Sequence, residues 1–482
     1  VRRCFLLLID GLRPDLAEAE LAAGRLPALA RLVAQGGATR AITSFPSTTS
    51  VSYLPFLTGC TPGTCNVPSI RWLDRTRYDG RWWRSRDHVR SYCGYQAGML
   101  DADIDPSVRT IFELVPESVG IFTMIARGLT PERNPASVER QFWGAVAHYA
   151  LWHQPSDDAV ANHLLQAVEG PSRFVFAQFP AVDGYTHQST PHAERVVQSL
   201  HEVDAVVGRL LDRLAARGEL AETLVLVVSD HGASVVQQHL DLAEWFRGQG
   251  VRTMSHPVVW ERHPRAAVMV AGNGSAMVYA HPDEPRKERW PLARLRREDT
   301  FGTGTDLVER LLQEPAVALV AAEAGPDRVT VADAGGEAAI SRSQGRIRYQ
   351  PETGDPLRIG EAWEGTDREW LSHTFGSAMP DAPYQLLDQF RSSRTGDLVV
   401  VGREGYDFRE RFEIPEHRSG HGSLIRAHMQ TPLWSNRRPE RIAMRTIDLF
   451  PTMLAWLGEE MPERMDGELV WRVSGERELP IA

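Results

Sequence analysis

Val1-Arg-Arg-Cys-Phe-Leu-Leu-Leu-Ile-Asp10-Gly-Leu-Arg-Pro-Asp15 opens the chain and sets its reading. Phe5–Ile9 is a continuous apolar run that stops at Asp10-Gly11. Alternation marks a strand with one wet face, whereas a continuous run marks a strand buried on both faces. The run is too short for a secretory signal and lacks small residues at a cleavage site. Two further runs end the same way. Arg173–Phe179 stops shortly before Asp183, and Thr223–Val228 stops at Ser229-Asp230-His231. Val119–Ile125 and Leu398–Val401 have the same character.

Helical patterns separate these runs. Within 193–216, Val196, Leu200, Val203, Val207, Leu210 and Leu214 recur at steps of three and four, one apolar stripe. Leu21–Ala34, Asp158–Val168, Leu307–Leu312 and Leu449–Leu457 repeat the pattern more weakly. Strands alternating with helices predict a three-layer α/β sandwich with a mostly parallel central sheet. Sites in such sheets lie beyond the carboxyl ends of the strands, where Asp10, Asp183 and Asp230-His231 fall. Between His231 and His421 the chain changes character, with short alternating stretches such as Arg328–Ala332 and Ala338–Ser341. The expected organisation is a catalytic core of residues 1–264 and 396–482, with 265–395 inserted as a smaller, cap-like α+β subdomain.

Bulk properties narrow the partners. Among 482 residues, 42% are hydrophobic and 24% charged, with a net charge of −10. That balance argues against a nucleic-acid polymer, whose phosphates draw on clustered Lys and Arg. Four cysteines are too few for a disulfide framework. With no apolar stretch of about 18 residues, no membrane span is expected, and a cytoplasmic location is the expectation.

The chemistry-bearing residues stand in separate segments. Asp183-Gly-Tyr-Thr-His187 places a carboxylate and an imidazole one helical turn apart, on the same side. Asp230 and His231 are adjacent, so both can face one ion only in an irregular turn, which Gly232 permits. His421 sits between glycines in Ser419-Gly-His-Gly-Ser423, with His417 as a competing candidate. With Asp10 these supply carboxylate and imidazole donors without thiolates, a set suited to zinc and also to manganese or iron. Two such ions can clamp the attacking and departing oxygens of an in-line displacement and activate a hydroxyl. Phe45-Pro-Ser-Thr-Thr-Ser-Val-Ser52 offers that hydroxyl, with Ser and Thr expected to cap a helix. Pattern alone does not separate Thr48 from Thr49. Residues 71–90 hold seven arginines interleaved with Trp72, Trp82 and Trp83. Arg binds phosphate in a fork and Trp offers a stacking face, which makes Arg71, Trp72 and Arg84 candidate substrate contacts.

These segments, in this order, resemble the alkaline phosphatase superfamily, and within it the type I phosphodiesterase/nucleotide pyrophosphatase branch. Leu8-Ile-Asp10-Gly-Leu-Arg-Pro-Asp15 is similar to the opening strand with its metal-binding Asp. Phe45-Pro-Ser-Thr-Thr and Leu57-Thr-Gly59 resemble the nucleophile segment. Asp183 with His187, Ser229-Asp-His-Gly232 and Gly420-His-Gly422 resemble the remaining metal segments. Ile447–Gly458 and Met465-Asp-Gly467 resemble the closing helix and loop. The resemblance implies one metal on Asp183, His187 and His421, a second on Asp10, Asp230 and His231, and Thr49 as a nucleophile that is transiently esterified. It implies hydrolysis of a small phosphate diester or nucleotide pyrophosphate. A monoesterase, a phosphonate hydrolase or a phosphoryl-transferring mutase would use similar ligands. Ser52 stands where many members of the branch place an Asn that holds a phosphoryl oxygen, so Ser52 is a candidate substrate contact. Cys60-Thr-Pro-Gly-Thr64 approaches a sulfatase motif, but Thr64 stands where Arg is needed.

Overall fold

The computed structural model describes residues 1–78, 80, 88–256, 261–284, 286–409, 413, 416–439, 443–469 and 471. Arg84 lies outside them. A seven-stranded sheet forms the centre, built from β1 (Arg3–Ile9), β2 (Gly37–Ile42), β3 (Ser118–Ile121), β4 (Phe174–Phe179), β5 (Thr223–Val228), β6 (Gln430–Ser435) and β7 (Met444–Arg445). Its order is β7-β2-β6-β5-β1-β4-β3. β1 runs parallel to both β4 and β5, and only β6 runs against its neighbours.

β1 shows why its run is continuous. Cys4, Leu6 and Leu8 enter one buried cluster, with Leu54, Phe56 and the closing helix Leu449–Leu457. Phe5, Leu7 and Ile9 enter another on the opposite face, with helix Glu194–Ala216. All six residues of the predicted 193–216 stripe are buried there. A Leu→Ala change at such a position costs about 2–5 kcal/mol.

Three local expectations differ. Leu21–Ala34 is two helices, Pro14–Ala22 and Pro27–Gln35, because Pro27 suits a helix start and interrupts a helix interior. The strand expected over Val119–Ile125 is Ser118–Ile121. Leu398–Gly402, grouped with the core strands by its apolar run, lies in a second, nine-stranded sheet. There it pairs antiparallel with Ser275–Ala280 and Val317–Gly325. The strands of that sheet span Thr253–Gly402, and all but its first pair are antiparallel. No helix among the described residues is long and apolar enough to cross a membrane. All four cysteines are free thiols.

Candidate metal centre

The carboxyl ends of β1, β4 and β5 deliver their polar residues to one place. Asp10, directly after β1, is buried; its Oδ2 accepts from Gln178 Nε2 at 2.6 Å and from the Tyr53 hydroxyl at 3.3 Å. Gln178 pairs across the sheet with Leu8. Gln178 is not among the residues the motifs single out, although a Gln inside Phe174-Val-Phe-Ala-Gln-Phe179 is the signal of a buried polar contact. Asp230 Oδ1 accepts the Gly11 N–H at 3.2 Å. The Leu12 N–H donates to Ser229 Oγ at 2.9 Å, and that hydroxyl donates to the His231 carbonyl at 2.8 Å. These bonds hold the irregular turn that lets Asp230 and His231 face inward together.

Gly232 is needed there for proximity. A Cβ at this position would lie 2.1 Å from the Ala427 carbonyl oxygen, so the close approach of two backbone segments excludes a side chain.

Asp183 and His187 share helix Ala181–Gln188, and their Oδ2 and Nε2 lie 3.1 Å apart. The three imidazoles are tethered alike. Nδ1 lies 2.8 Å from the Ser419 carbonyl for His187, 3.1 Å from the Gly232 carbonyl for His231, and 2.9 Å from the Ser47 carbonyl for His421. A carbonyl only accepts, so each Nδ1 carries a proton, and Nε2 is the ring nitrogen each histidine turns toward the centre. This arrangement is characteristic of metal-ligating histidines. The His231 and His421 rings stack at 3.8 Å. His417 stacks outside, on His187, at 4.1 Å.

Ligand atoms of Asp10, Asp230 and His231 lie within 4.8 Å of one another, as do those of Asp183, His231 and His421. Among the described residues, Asp183 Oδ1 and Asp230 Oδ2 are buried without a hydrogen-bond partner. Orphaned carboxylate oxygens beside inward-facing imidazole Nε2 atoms fit divalent cations.

The metal-free electrostatics are strained in the same sense. Burial, then the charges of Asp230 and Asp183, push the Asp10 carboxyl well above the usual range. Burial also raises Asp230. For His187 burial works against charge, but the Asp183 carboxylate outweighs it and lifts the imidazole to about 9. Asp183 is opposed by burial too, yet the neighbouring imidazoles hold it low.

Thr49 Oγ1 lies 3.0 Å from His231 Nε2 and 3.4 Å from Asp10 Oδ1. The expected Ser/Thr cap is absent. Ser50, at φ 71°, precedes a 3-10 turn over Val51–Tyr53, makes no side-chain cap, and leads to the short helix Leu54–Thr58. Ser52 is buried, with no partner for its hydroxyl among the described residues. Arg71 begins a short strand and donates to the Val270 carbonyl at 3.3 Å. Trp72 does not offer a stacking face. It is 2% exposed, donates to the Tyr92 hydroxyl at 3.0 Å, and is covered by the Arg394 guanidinium 4.3 Å from the ring centroid.

Residues 4–424 match the family model of type I phosphodiesterases/nucleotide pyrophosphatases. The chain belongs to this family. Among curated proteins there is no match. Among solved structures, phosphonoacetate hydrolase from Sinorhizobium meliloti 1021 in complex with phosphonoformate is similar over 95% of this chain and 96% of that one, at 14% identity and a TM-score of 0.57. An inactive variant of murine ectonucleotide pyrophosphatase/phosphodiesterase 5 in complex with AMP is similar over 97% and 98%, at 12% identity and a TM-score of 0.56. The human form of that protein gives 13% identity and a TM-score of 0.56 over 97% and 98%. The family and the fold are those of alkaline phosphatase superfamily hydrolases acting on phosphoryl compounds.

Proposed function

We propose that this member of the family hydrolyses small phosphate diesters or nucleotide pyrophosphates at two divalent metals, through a covalent intermediate on Thr49. One observation carries the reading. Three imidazoles, each tethered through Nδ1 to a main-chain carbonyl, converge with three carboxylates beside the Thr49 hydroxyl. We assign Asp183, His187 and His421 to one metal and Asp10, Asp230 and His231 to the other; in the metal-free geometry His231, not His187, falls within 4.8 Å of the Asp183 and His421 donors, and His187 joins them through its 3.1 Å contact with Asp183. Zinc suits these donors, as do manganese and iron.

When bound, such ions supply Lewis acidity at the attacking and leaving oxygens and lower the pKa of a hydroxyl they touch. The chain's own residues do the rest. Gln178 and Tyr53 fix the Asp10 carboxylate. The tethers at Ser419, Gly232 and Ser47 fix the ring planes. Thr49 Oγ1 gives up its proton to solvent and attacks phosphorus as the bond to the leaving-group oxygen breaks, and the leaving group takes a proton from solvent. Water then cleaves the Thr49 ester, releasing product and restoring the hydroxyl. Ser52 and Arg71 are proposed to contact the substrate, and segment 265–395 to cover one side of the site. Gly272 in that segment supports the second point, because a Cβ there would meet Thr48 and His421.

Metal-stripped protein should be inactive on nitrophenyl phosphate mono- and diesters, and added zinc or manganese should restore turnover, with diesters preferred. A preference for monoesters or phosphonates would keep the site and replace the substrate class.

A further inference from the structure

Two helices beside the metal centre begin on each other's side chains. Helix Ala181–Gln188 carries Asp183 and His187, and its N-cap, Pro180, makes no side-chain cap. The acceptor comes from the helix Gln154–Glu169, where Asp157 Oδ1 takes the Ala181 N–H at 3.0 Å. In return, the N–H groups of His153 and Gln154, at the start of that helix, both donate to the Tyr185 hydroxyl at 3.3 Å. Gln188 Nε2 closes the pair by reaching His153 Nε2 at 2.6 Å.

The first N–H groups of a helix have no partner within it. Here each helix supplies what the other lacks, so neither can slide or rotate alone. Asp183 stands two residues beyond Ala181, and its carboxylate moves with that first turn. Asp157 is 4% exposed, and its Oδ2 has no partner among the described residues. A carboxyl group buried with one main-chain contact is a poor choice for packing alone, since the unpaired oxygen carries a desolvation cost an apolar side chain avoids. Among the described residues, the hydrogen bond its side chain makes goes to the start of the ligand helix.

We propose that Asp157 and Tyr185 are positioning residues for the metal held on the Asp183–His187 side, acting by fixing this helix without touching metal or substrate. The proposal rests on the two-metal reading above. Partners of this kind, one step removed from the metal, typically change affinity about 10–100-fold when lost.

The test titrates the metal-stripped full chain with Zn²⁺ alone and follows amide hydrogen exchange across 181–188 in the same metal-free samples. D157A and Y185F should each weaken one of two zinc-binding steps at least about 10-fold, leave the other near wild type, and speed exchange in the first turn of this helix. D157N, which keeps the acceptor, should behave like wild type. Y185F removes a single oxygen and keeps the test valid if D157A fails to fold. Unchanged zinc steps with unchanged exchange would overturn the proposal, as would equal weakening of both steps. A wild-type chain that binds no zinc would overturn the two-metal reading instead, while exchange in the metal-free variants still decides whether Asp157 and Tyr185 fix the helix.

Discussion

Thr49 Oγ1 points at His231 Nε2 across 3.0 Å, while Thr48, one residue earlier, is fully buried with no partner for its hydroxyl among the described residues. The two hydroxyls are equivalent in the sequence and opposite in the fold. T49A should lower kcat by about 10³-fold or more, as loss of a nucleophile does, with both metals retained. T48A should change kcat by less than about 10-fold. Steady-state kinetics with metal analysis on the same samples checks both.

Metal uptake should release protons. In the metal-free protein Asp183 raises His187 to about 9 against the effect of burial, so this imidazole is charged at neutral pH and must lose its proton to bind. The sign follows. A raised folded-state value stabilises the metal-free fold below the unfolded pKa of about 6.5, and the contribution fades as pH rises through about 9. Zinc affinity should therefore climb with pH up to about 9. Calorimetry in buffers of different ionisation enthalpy measures the release, and zero proton release near pH 7 would count against His187 as a ligand.

Gly11 joins two metal segments. It sits at φ +67°, and a Cβ there would lie 2.5 Å from Asp183 Oδ1. G11A should cost about 1–2 kcal/mol in backbone strain and displace the Asp183 carboxylate. Thermal unfolding with and without zinc should show a lower Tm and a smaller stabilisation by the metal.

Trp72 should matter for folding alone. W72A removes a buried ring and should destabilise by about 3–5 kcal/mol, whereas W72F, milder in volume, should leave KM unchanged for any phosphate ester. A KM that rises in W72F would return Trp72 to the substrate.

What the sequence revealed follows from how each feature is encoded. β1 and β5 were legible because parallel strands buried on both faces leave continuous apolar runs. Leu398–Gly402 has the same run, yet a run reports burial and is silent about which strand lies alongside, so its place in the second sheet was hidden. Asp183 and His187 were legible through their one-turn spacing. The residue pattern left His421 and His417 open and only the resemblance chose His421, because their difference is made by the Ser47 carbonyl, 374 residues away in sequence. Trp72 was misread because a Trp beside arginines looks the same whether the guanidinium covers the ring or merely neighbours it in the chain.

The most direct test is mass spectrometry of protein quenched in acid during turnover of a phosphate diester with zinc bound. The account predicts the phosphoryl portion of the substrate attached to Thr49, and no adduct in T49A. Rapid turnover with no adduct on any residue, or an undiminished rate in T49A, would contradict it.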